Sequence, residues 1–141
     1  MAVIRLDDIA RTTGGTVLQG SPALAFDRFG IDSRLAAAGE LFFAVPGRRD
    51  GHDFVLAAAA AGAAGAVVAR PVPGAPPGFG LVLVPDTVAA LQDLARDVLR
   101  RRPVKVVGIT GSVGKTTTKD FTAALLSGRF HVLKSEGNFN N

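Results

Sequence analysis

The 141-residue sequence contains no cysteine, tryptophan or tyrosine, and only two histidines. The absence of cysteine excludes a disulfide framework, a thiolate metal site and a thiol nucleophile. Two histidines are too few for a metal cage built from imidazoles. Without tryptophan or tyrosine the chain also lacks most of the aromatic surface on which nucleic-acid binders stack bases. No nucleic-acid partner is therefore expected.

Long apolar runs are missing as well, because no stretch reaches the ~18 residues of a membrane span. The first residues show no basic segment followed by an apolar core, so no secretory signal is predicted. Hydrophobic residues make up 48% and charged residues 20% of the chain, which is typical of a globular protein. These features predict a cytoplasmic chain without membrane insertion, long enough for one domain and at most a fragment of another.

Positive charge is concentrated near the end of the chain. Residues 1–100 contain nine Lys or Arg and ten Asp or Glu, whereas residues 101–141 contain seven against two. The net charge of +4 therefore arises from the last segment. An excess of positive charge of this kind favours an anionic ligand there.

Short apolar runs alternate with helical stretches, which predicts an α/β fold with a parallel or mixed sheet. The predicted helices span residues 6–12, 53–64 and 86–102. The predicted strands span residues 26–31, 41–45, 66–69, 81–84, 104–110 and 130–133. Pro103 stops the third helix, and a domain boundary is predicted beside it.

A phosphate-binding loop (P-loop) is predicted between the strand 104–110 and a following helix. Its glycines let successive backbone N–H groups point at a phosphate, and the start of the helix adds a partial positive charge. Lys115 is expected to act as the catalytic cation on the β- and γ-phosphates of ATP, and the Thr116 hydroxyl to bind magnesium. The predicted ATP-binding residues are Thr110, Gly111, Ser112, Val113, Gly114, Lys115, Thr116 and Thr117.

One position departs from the general pattern of such loops. That pattern has glycine five residues before Gly114, where this chain has Ile109, and Gly108 lies one step too early. A glycine turn beside an ordinary surface lysine is the alternative, and it requires the strand, helix, motif and local charge to coincide by chance. The elements after Pro103 are too few for a complete nucleotide-binding domain. Residues 103–141 are therefore predicted to be the beginning of a P-loop, Rossmann-like ATP-binding domain.

The Ile109 departure matches one group of proteins. The form Thr-Gly-x-x-Gly-Lys-Thr-Thr after Gly-Ile resembles the Mur ligase family, the ATP-dependent amide-bond ligases of peptidoglycan assembly. Residues 110–120 and 134–141 resemble most the members that add D-alanyl-D-alanine. Three earlier segments resemble the first domain of the family, namely Asp-Ser-Arg at 32–34, Gly-Glu-Leu-Phe-Phe-Ala at 39–44 and Gly-Arg-Arg-Asp-Gly-His-Asp-Phe at 47–54.

This resemblance implies a small mixed α/β, UDP-substrate-binding domain over residues 1–102, followed by the truncated ATP-binding domain. It implies a monomer whose partners are UDP-N-acetylmuramoyl-tripeptide and D-alanyl-D-alanine. The two substrates would be joined to each other through an acyl phosphate, with ATP and magnesium as cofactors. The 141 residues alone are expected to be inactive, because the family's acidic magnesium ligand, adenine pocket and third domain would lie beyond Asn141. A ligase adding a diamino acid, a UDP-sugar-binding module and another P-loop ATPase or kinase remain as alternatives.

The resemblance also implies a set of substrate-binding residues: Ser33, Arg34, Gly47, His52, Asn138 and Asn141. A hydroxyl, a guanidinium, a flexible glycine loop and an imidazole suit a diphosphate and a uracil edge. The same segments also fit an ordinary capped turn, a solvated loop before a helix and a polar chain end. Both interpretations of these loops stay open at this point.

Overall fold

The computed structural model describes residues 3–135 of the chain. The chain divides into two compact units, Met1–Pro103 and Val104–Asn141. The division falls at Pro103, which lacks the backbone N–H that a continuing helix requires.

Seven strands form the sheets of the first unit. They are Ile4–Arg5 (β1), Thr16–Gln19 (β2), Ala25–Phe26 (β3), Phe29–Gly30 (β4), Leu41–Phe43 (β5), Gly65–Val68 (β6) and Gly80–Leu83 (β7). Five of them make a mixed sheet in the order β2-β7-β6-β5-β4, in which β4 to β7 run parallel and β2 is antiparallel to β7. β1 and β3 form a separate antiparallel pair.

Helices cover both faces of the five-stranded sheet, as parallel strands require. They are Leu6–Thr13 (α1), Val55–Ala61 (α2) and Thr87–Arg100 (α3). Side chains of β5 alternate between the two faces: Leu41 and Phe43 pack in the core with α1 and α3, and Phe42 packs in the core with α2. The three residues of β5 are almost completely buried.

The three helices of this unit lie where the sequence predicts them. Gly14 ends α1 with a left-handed φ of 65°, a conformation that glycine adopts without steric cost. The Asp86 carboxylate caps α3 by accepting hydrogen bonds from the N–H groups of Val88 (2.7 Å) and Ala89 (3.0 Å). The predicted helix 53–64 is a 3-10 turn, Gly51–Phe54, that continues into α2.

Two predictions about the strands of the first unit are incomplete. The predicted strand 26–31 is interrupted and forms β3 and β4 with different partners. β1 and β2 are not predicted at all, and β2 follows α1 closely and pairs with β7 at residues more than sixty positions away. The mixed α/β character of the unit agrees with the sequence prediction.

The second unit contains one helix, Lys115–Ser127 (α4), within its described residues 104–135. The predicted strands 104–110 and 130–133 are wrong for this structure, because neither segment has regular secondary structure. A strand requires a neighbouring strand for its hydrogen bonds, and the described part of this unit supplies none. The apolar side chains of Val106 and Leu133 are consequently 71% and 98% exposed.

Within residues 3–135, no helix combines the length and the apolar content that crossing a membrane would take.

Candidate functional site

The predicted phosphate-binding loop leads directly into α4. Gly111 and Gly114 have backbone φ values of 152° and 80°. L residues with a side chain rarely adopt such angles, so both positions favour glycine. Gly114 is the N-cap residue of α4, and its carbonyl accepts the N–H of Thr118 at 2.9 Å. The helix therefore starts at the end of the loop, where its partial positive charge favours an anion.

Lys115 is the first residue of α4, and its side chain folds back over the loop. The Nζ atom donates a hydrogen bond to the Gly111 carbonyl oxygen at 2.6 Å. This contact holds the ammonium group beside the backbone of the loop. Lys115 is half-buried, whereas the other predicted ATP-binding residues are exposed: Thr110, Gly111, Ser112, Val113, Gly114, Thr116 and Thr117.

Two lysine side chains form hydrogen bonds between residues 134–135 and α4. Lys134 Nζ bonds Asp120 Oδ1 at 2.9 Å, and Lys119 Nζ donates to the Ser135 carbonyl at 2.8 Å. The bond from Lys134 lowers the pKa of Asp120 below its usual value. Nothing in the spacing of these residues reveals the two contacts in advance. The predicted substrate residues Asn138 and Asn141 lie outside the described residues.

The first predicted substrate loop follows β4 and forms a 3-10 turn, Ser33–Leu35. Asp32 accepts hydrogen bonds from the Arg34 backbone N–H (3.0 Å) and from its guanidinium (2.9 and 2.6 Å). The side-chain bonds, with the backbone bond second, lower the pKa of Asp32 to about 2. Ser33 is half-buried, and the Arg34 side chain is 85% exposed and paired with the carboxylate of its own turn.

The second predicted substrate loop follows β5 and folds back on the end of that strand. A β-bridge pairs Pro46 with Asp50, and the N–H of Gly51 bonds the Val45 carbonyl at 3.2 Å. Gly51 is buried, whereas Gly47 is exposed at the outer part of the loop. We refer below to residues 46–54 as the Gly47 loop.

His52 lies inside this loop and uses both of its ring nitrogens. Nδ1 lies 2.6 Å from Asp50 Oδ1, and Nε2 accepts the backbone N–H of Ala69 at 2.7 Å. The side chain is only 7% exposed. Arg70 forms ion pairs with Asp50 and, at 3.6 Å, with Asp53. The sequence identifies His52 as a candidate but does not reveal the contacts of this loop with Ala69 and Arg70, because those contacts depend on strand pairing.

The two predicted substrate loops meet at one edge of the sheet. β4, β5 and β6 are neighbouring parallel strands, so their carboxyl ends lie side by side. Ser33 and Arg34 follow β4, and the Gly47 loop follows β5. In open α/β sheets, ligands bind in the crevice outside the carboxyl ends of the strands. The topology therefore places the predicted substrate residues of the first unit at the same end of the sheet.

Comparison with known proteins finds that the chain is similar to one group of ligases, although no protein-family model matches it. The UDP-N-acetylmuramoyl-tripeptide–D-alanyl-D-alanine ligase of Bacillus subtilis (strain 168) is 45% identical over 111 residues, which cover 78% of this chain and 24% of that protein. The ligase of the same name from Mycobacterium tuberculosis (strain ATCC 25618 / H37Rv) is 39% identical over an alignment of 171 residues, which covers 100% of this chain and 32% of that protein. The chain thus spans about a quarter to a third of the length of these relatives.

Solved structures give the same result. MurF from Acinetobacter baumannii matches with a TM-score of 0.88 and 33% identity, over 100% of this chain and 31% of that one. The MurF ligase of Thermotoga maritima in complex with ADP matches with a TM-score of 0.69 and 39% identity, over 80% of this chain and 26% of that one. These similarities confirm the predicted α/β fold class.

Proposed function

The chain belongs to the Mur ligase family, and we propose that it is the substrate-holding and phosphate-binding part of a ligase that joins D-alanyl-D-alanine to UDP-N-acetylmuramoyl-tripeptide. The observation that carries this proposal is the 39–45% identity to ligases of that name. Residues 1–102 act as the UDP-substrate domain, and residues 103–141 begin the ATP-binding domain. Ligase activity, a cytoplasmic location and a monomeric state are proposed for a full-length protein like these relatives.

The proposed reaction activates a carboxylate, because a free carboxylate is a poor electrophile. A carboxylate oxygen of the tripeptide attacks the γ-phosphorus of ATP, the bond to the bridging oxygen breaks, and ADP leaves. The amine of D-alanyl-D-alanine then attacks the carbonyl of the acyl phosphate and loses a proton, and phosphate leaves as the amide forms. Phosphoryl transfer of this kind is catalysed mainly by positioning and by neutralising charge.

Lys115 and the backbone of its loop serve the first step. The ammonium group now bonds the Gly111 carbonyl, and it exchanges this neutral acceptor for phosphate oxygens when ATP binds. The bond of an ammonium group to an anionic phosphate oxygen is stronger than its bond to a neutral carbonyl, because both partners are then charged. The start of α4 adds its partial positive charge where negative charge accumulates on the transferred group.

Magnesium fits the donors of this loop. Mg²⁺ is usually held by a few protein oxygens together with substrate phosphates and water, and it prefers hard oxygen ligands. Thr116 in the first turn of α4 supplies such an oxygen, and residues 3–135 hold no cluster of three or more His, Cys, Asp or Glu that would form a cage. Thr116 would hold the ion, which supplies charge neutralisation on the phosphates when bound.

The UDP end of the substrate is assigned to the loops after β4 and β5. Ser33 and Arg34 offer a hydroxyl and a guanidinium, and the exposed Gly47 lets the backbone of its loop approach a ligand closely. His52 lies within the same loop. Asn138 and Asn141 are proposed to contact the muropeptide. The support for this assignment is the common position of both loops at the carboxyl ends of parallel strands.

The test is a titration of the ¹⁵N-labelled chain, followed through backbone amide shifts. UDP-N-acetylmuramoyl-tripeptide is expected to shift Ser33, Gly47 and His52 saturably, and magnesium-ATP to shift residues 111–117. Lys115→Ala should weaken the ATP response at least tenfold, since it removes charged hydrogen bonds. It should leave the muropeptide response unchanged.

Lys105→Ala is the matched control, because Lys105 is an exposed lysine of the same unit that precedes the loop. It should retain both responses. Shifts confined to residues 111–117 would contradict the UDP-substrate role and leave a generic P-loop ATPase. An equal loss of ATP binding in both lysine variants would contradict the role assigned to Lys115.

A further inference from the structure

We infer that Asp50, His52 and Arg70 are positioning residues, which hold the Gly47 loop against the carboxyl end of β6 and thereby set its shape for ligand binding. The inference rests on the proposed UDP-binding role of this loop. It differs from a direct contact with the ligand, because each of the three side chains has its main polar groups engaged within the protein.

Asp50 is the centre of the arrangement. Its Oδ1 atom accepts the backbone N–H of His52 at 3.0 Å and the ring Nδ1 at 2.6 Å, and its Oδ2 atom accepts from the Arg70 guanidinium. The hydrogen bond from the His52 backbone, followed by that from Arg70, holds the pKa of Asp50 well below its usual range. The carboxylate is therefore ionised at neutral pH and can hold three donors at once.

The ring of His52 joins this carboxylate to the neighbouring strand. Because Nε2 accepts the N–H of Ala69 at 2.7 Å, that nitrogen carries no proton. The proton of the neutral ring is then on Nδ1, from which it is donated to Asp50. Ala69 directly follows β6, so this pair of bonds ties the loop after β5 to the end of the next strand.

Arg70 adds a second tie at the adjacent position of the chain. Its guanidinium contacts Asp50 near the start of the 3-10 turn and lies 3.6 Å from Asp53 within that turn. A single exposed ion pair contributes little to stability. Here the guanidinium binds a carboxylate that also orients His52, so its loss is expected to change the geometry of the loop more than the stability of the fold.

The test compares Arg70→Gln with Arg96→Gln, and UDP is the probe. Arg96 is a matched control, since it is similarly exposed and forms an ion pair with Asp93 on α3, away from the loop. Arg70→Gln should weaken UDP binding about threefold to tenfold, as expected when a charged hydrogen bond that shapes the site is lost. It should also shift the amides of residues 47–54 and of Ala69. Arg96→Gln should do neither, and Arg70→Lys should restore part of the affinity.

Two further readouts separate positioning from general destabilisation. The thermal midpoint of Arg70→Gln should match that of Arg96→Gln while the UDP affinities differ. Long-range ¹H–¹⁵N correlation spectra should show His52 protonated on Nδ1 alone in the unaltered chain, and as a tautomer mixture in Asp50→Asn.

The inference and the proposed function can fail separately. If the unaltered chain does not bind UDP, the proposed role of the loop fails, and the His52 tautomer and the amide shifts still test the anchoring. If UDP binds equally well to Arg70→Gln and Arg96→Gln, or if His52 carries its proton on Nε2, the inference is overturned.

Discussion

Replacing Gly51 by alanine should destabilise the first unit, because the backbone leaves no room for a side chain there. A Cβ atom at this position would lie 2.5 Å from the Val45 carbonyl oxygen and 2.7 Å from the Ala44 carbonyl carbon. Both neighbours are backbone atoms at the end of β5, which cannot rotate away as a flexible side chain would. The Gly47 loop would have to move off the strand, and the 3.2 Å bond from Gly51 N–H to Val45 would lengthen.

The expected cost is about 1–3 kcal/mol, the range for forcing an extra carbon into a well-packed site. In a domain of about this size, each kcal/mol lowers the thermal midpoint by roughly 4–8 °C. The chain contains neither tryptophan nor tyrosine, so unfolding is best followed by far-ultraviolet circular dichroism. UDP binding should weaken in parallel, since the displaced loop carries Gly47.

Gly47→Ala is the matched control for stability. The space at Gly47 is open, because a Cβ atom added there would have the Arg49 carbonyl oxygen as its closest neighbour, at 3.6 Å. Its effect should stay within about 0.5 kcal/mol, as for substitutions away from tight contacts. Equal midpoints for Gly51→Ala and Gly47→Ala would refute the reasoning, because the loop would then move away from the strand at no cost.

Three other predictions follow from the first unit. Asp86→Ala removes the cap of α3 and should cost about 0.5–2 kcal/mol in urea unfolding, whereas Asp86→Asn should cost less. Leu94→Ala opens a cavity at a side chain that is 3% exposed and should cost about 2–5 kcal/mol; a smaller loss would mean that α3 collapses into the space. Folding lowers the pKa of Asp50. Its contribution to the free energy of unfolding is therefore complete above pH ~4 and declines as the pH falls further. The ¹³Cγ shift of the Asp50 carboxylate should therefore stay constant at neutral pH and change only in acid, and a carboxylate midpoint near pH 6 would contradict this.

The sequence predicts those features that depend on neighbouring residues. The limits of α3 follow from a capping Asp86 and a terminating Pro103, both of which act locally. The predicted phosphate loop is equally local, because Gly111 and Gly114 adopt left-handed backbone conformations on either side of a two-residue bend before a helix. Its motif is recognisable without knowledge of any other part of the chain.

Two features that depend on distant pairing are not predicted correctly, namely β2 and the segment 104–110. β2 is short and alternates between exposed and half-buried positions, and it exists because it pairs with β7. Residues 104–110 have the composition of a buried strand, and the described part of their unit offers no partner strand. An apolar β-branched run indicates that a segment can become a strand, and only a neighbouring strand completes it.

The two loops proposed to bind ligands are therefore shaped by different physical means. The loop before α4 takes its form from two glycines and a helix start, so Lys115 and its neighbours are identified by their spacing. The Gly47 loop takes its form from a carboxylate that collects donors from positions 52 and 70, together with a buried glycine. These positions become neighbours only when β5 and β6 pair in register. For this reason the sequence identifies His52 as a functional candidate, but the structure is needed to find that its ring nitrogens hold the loop in place.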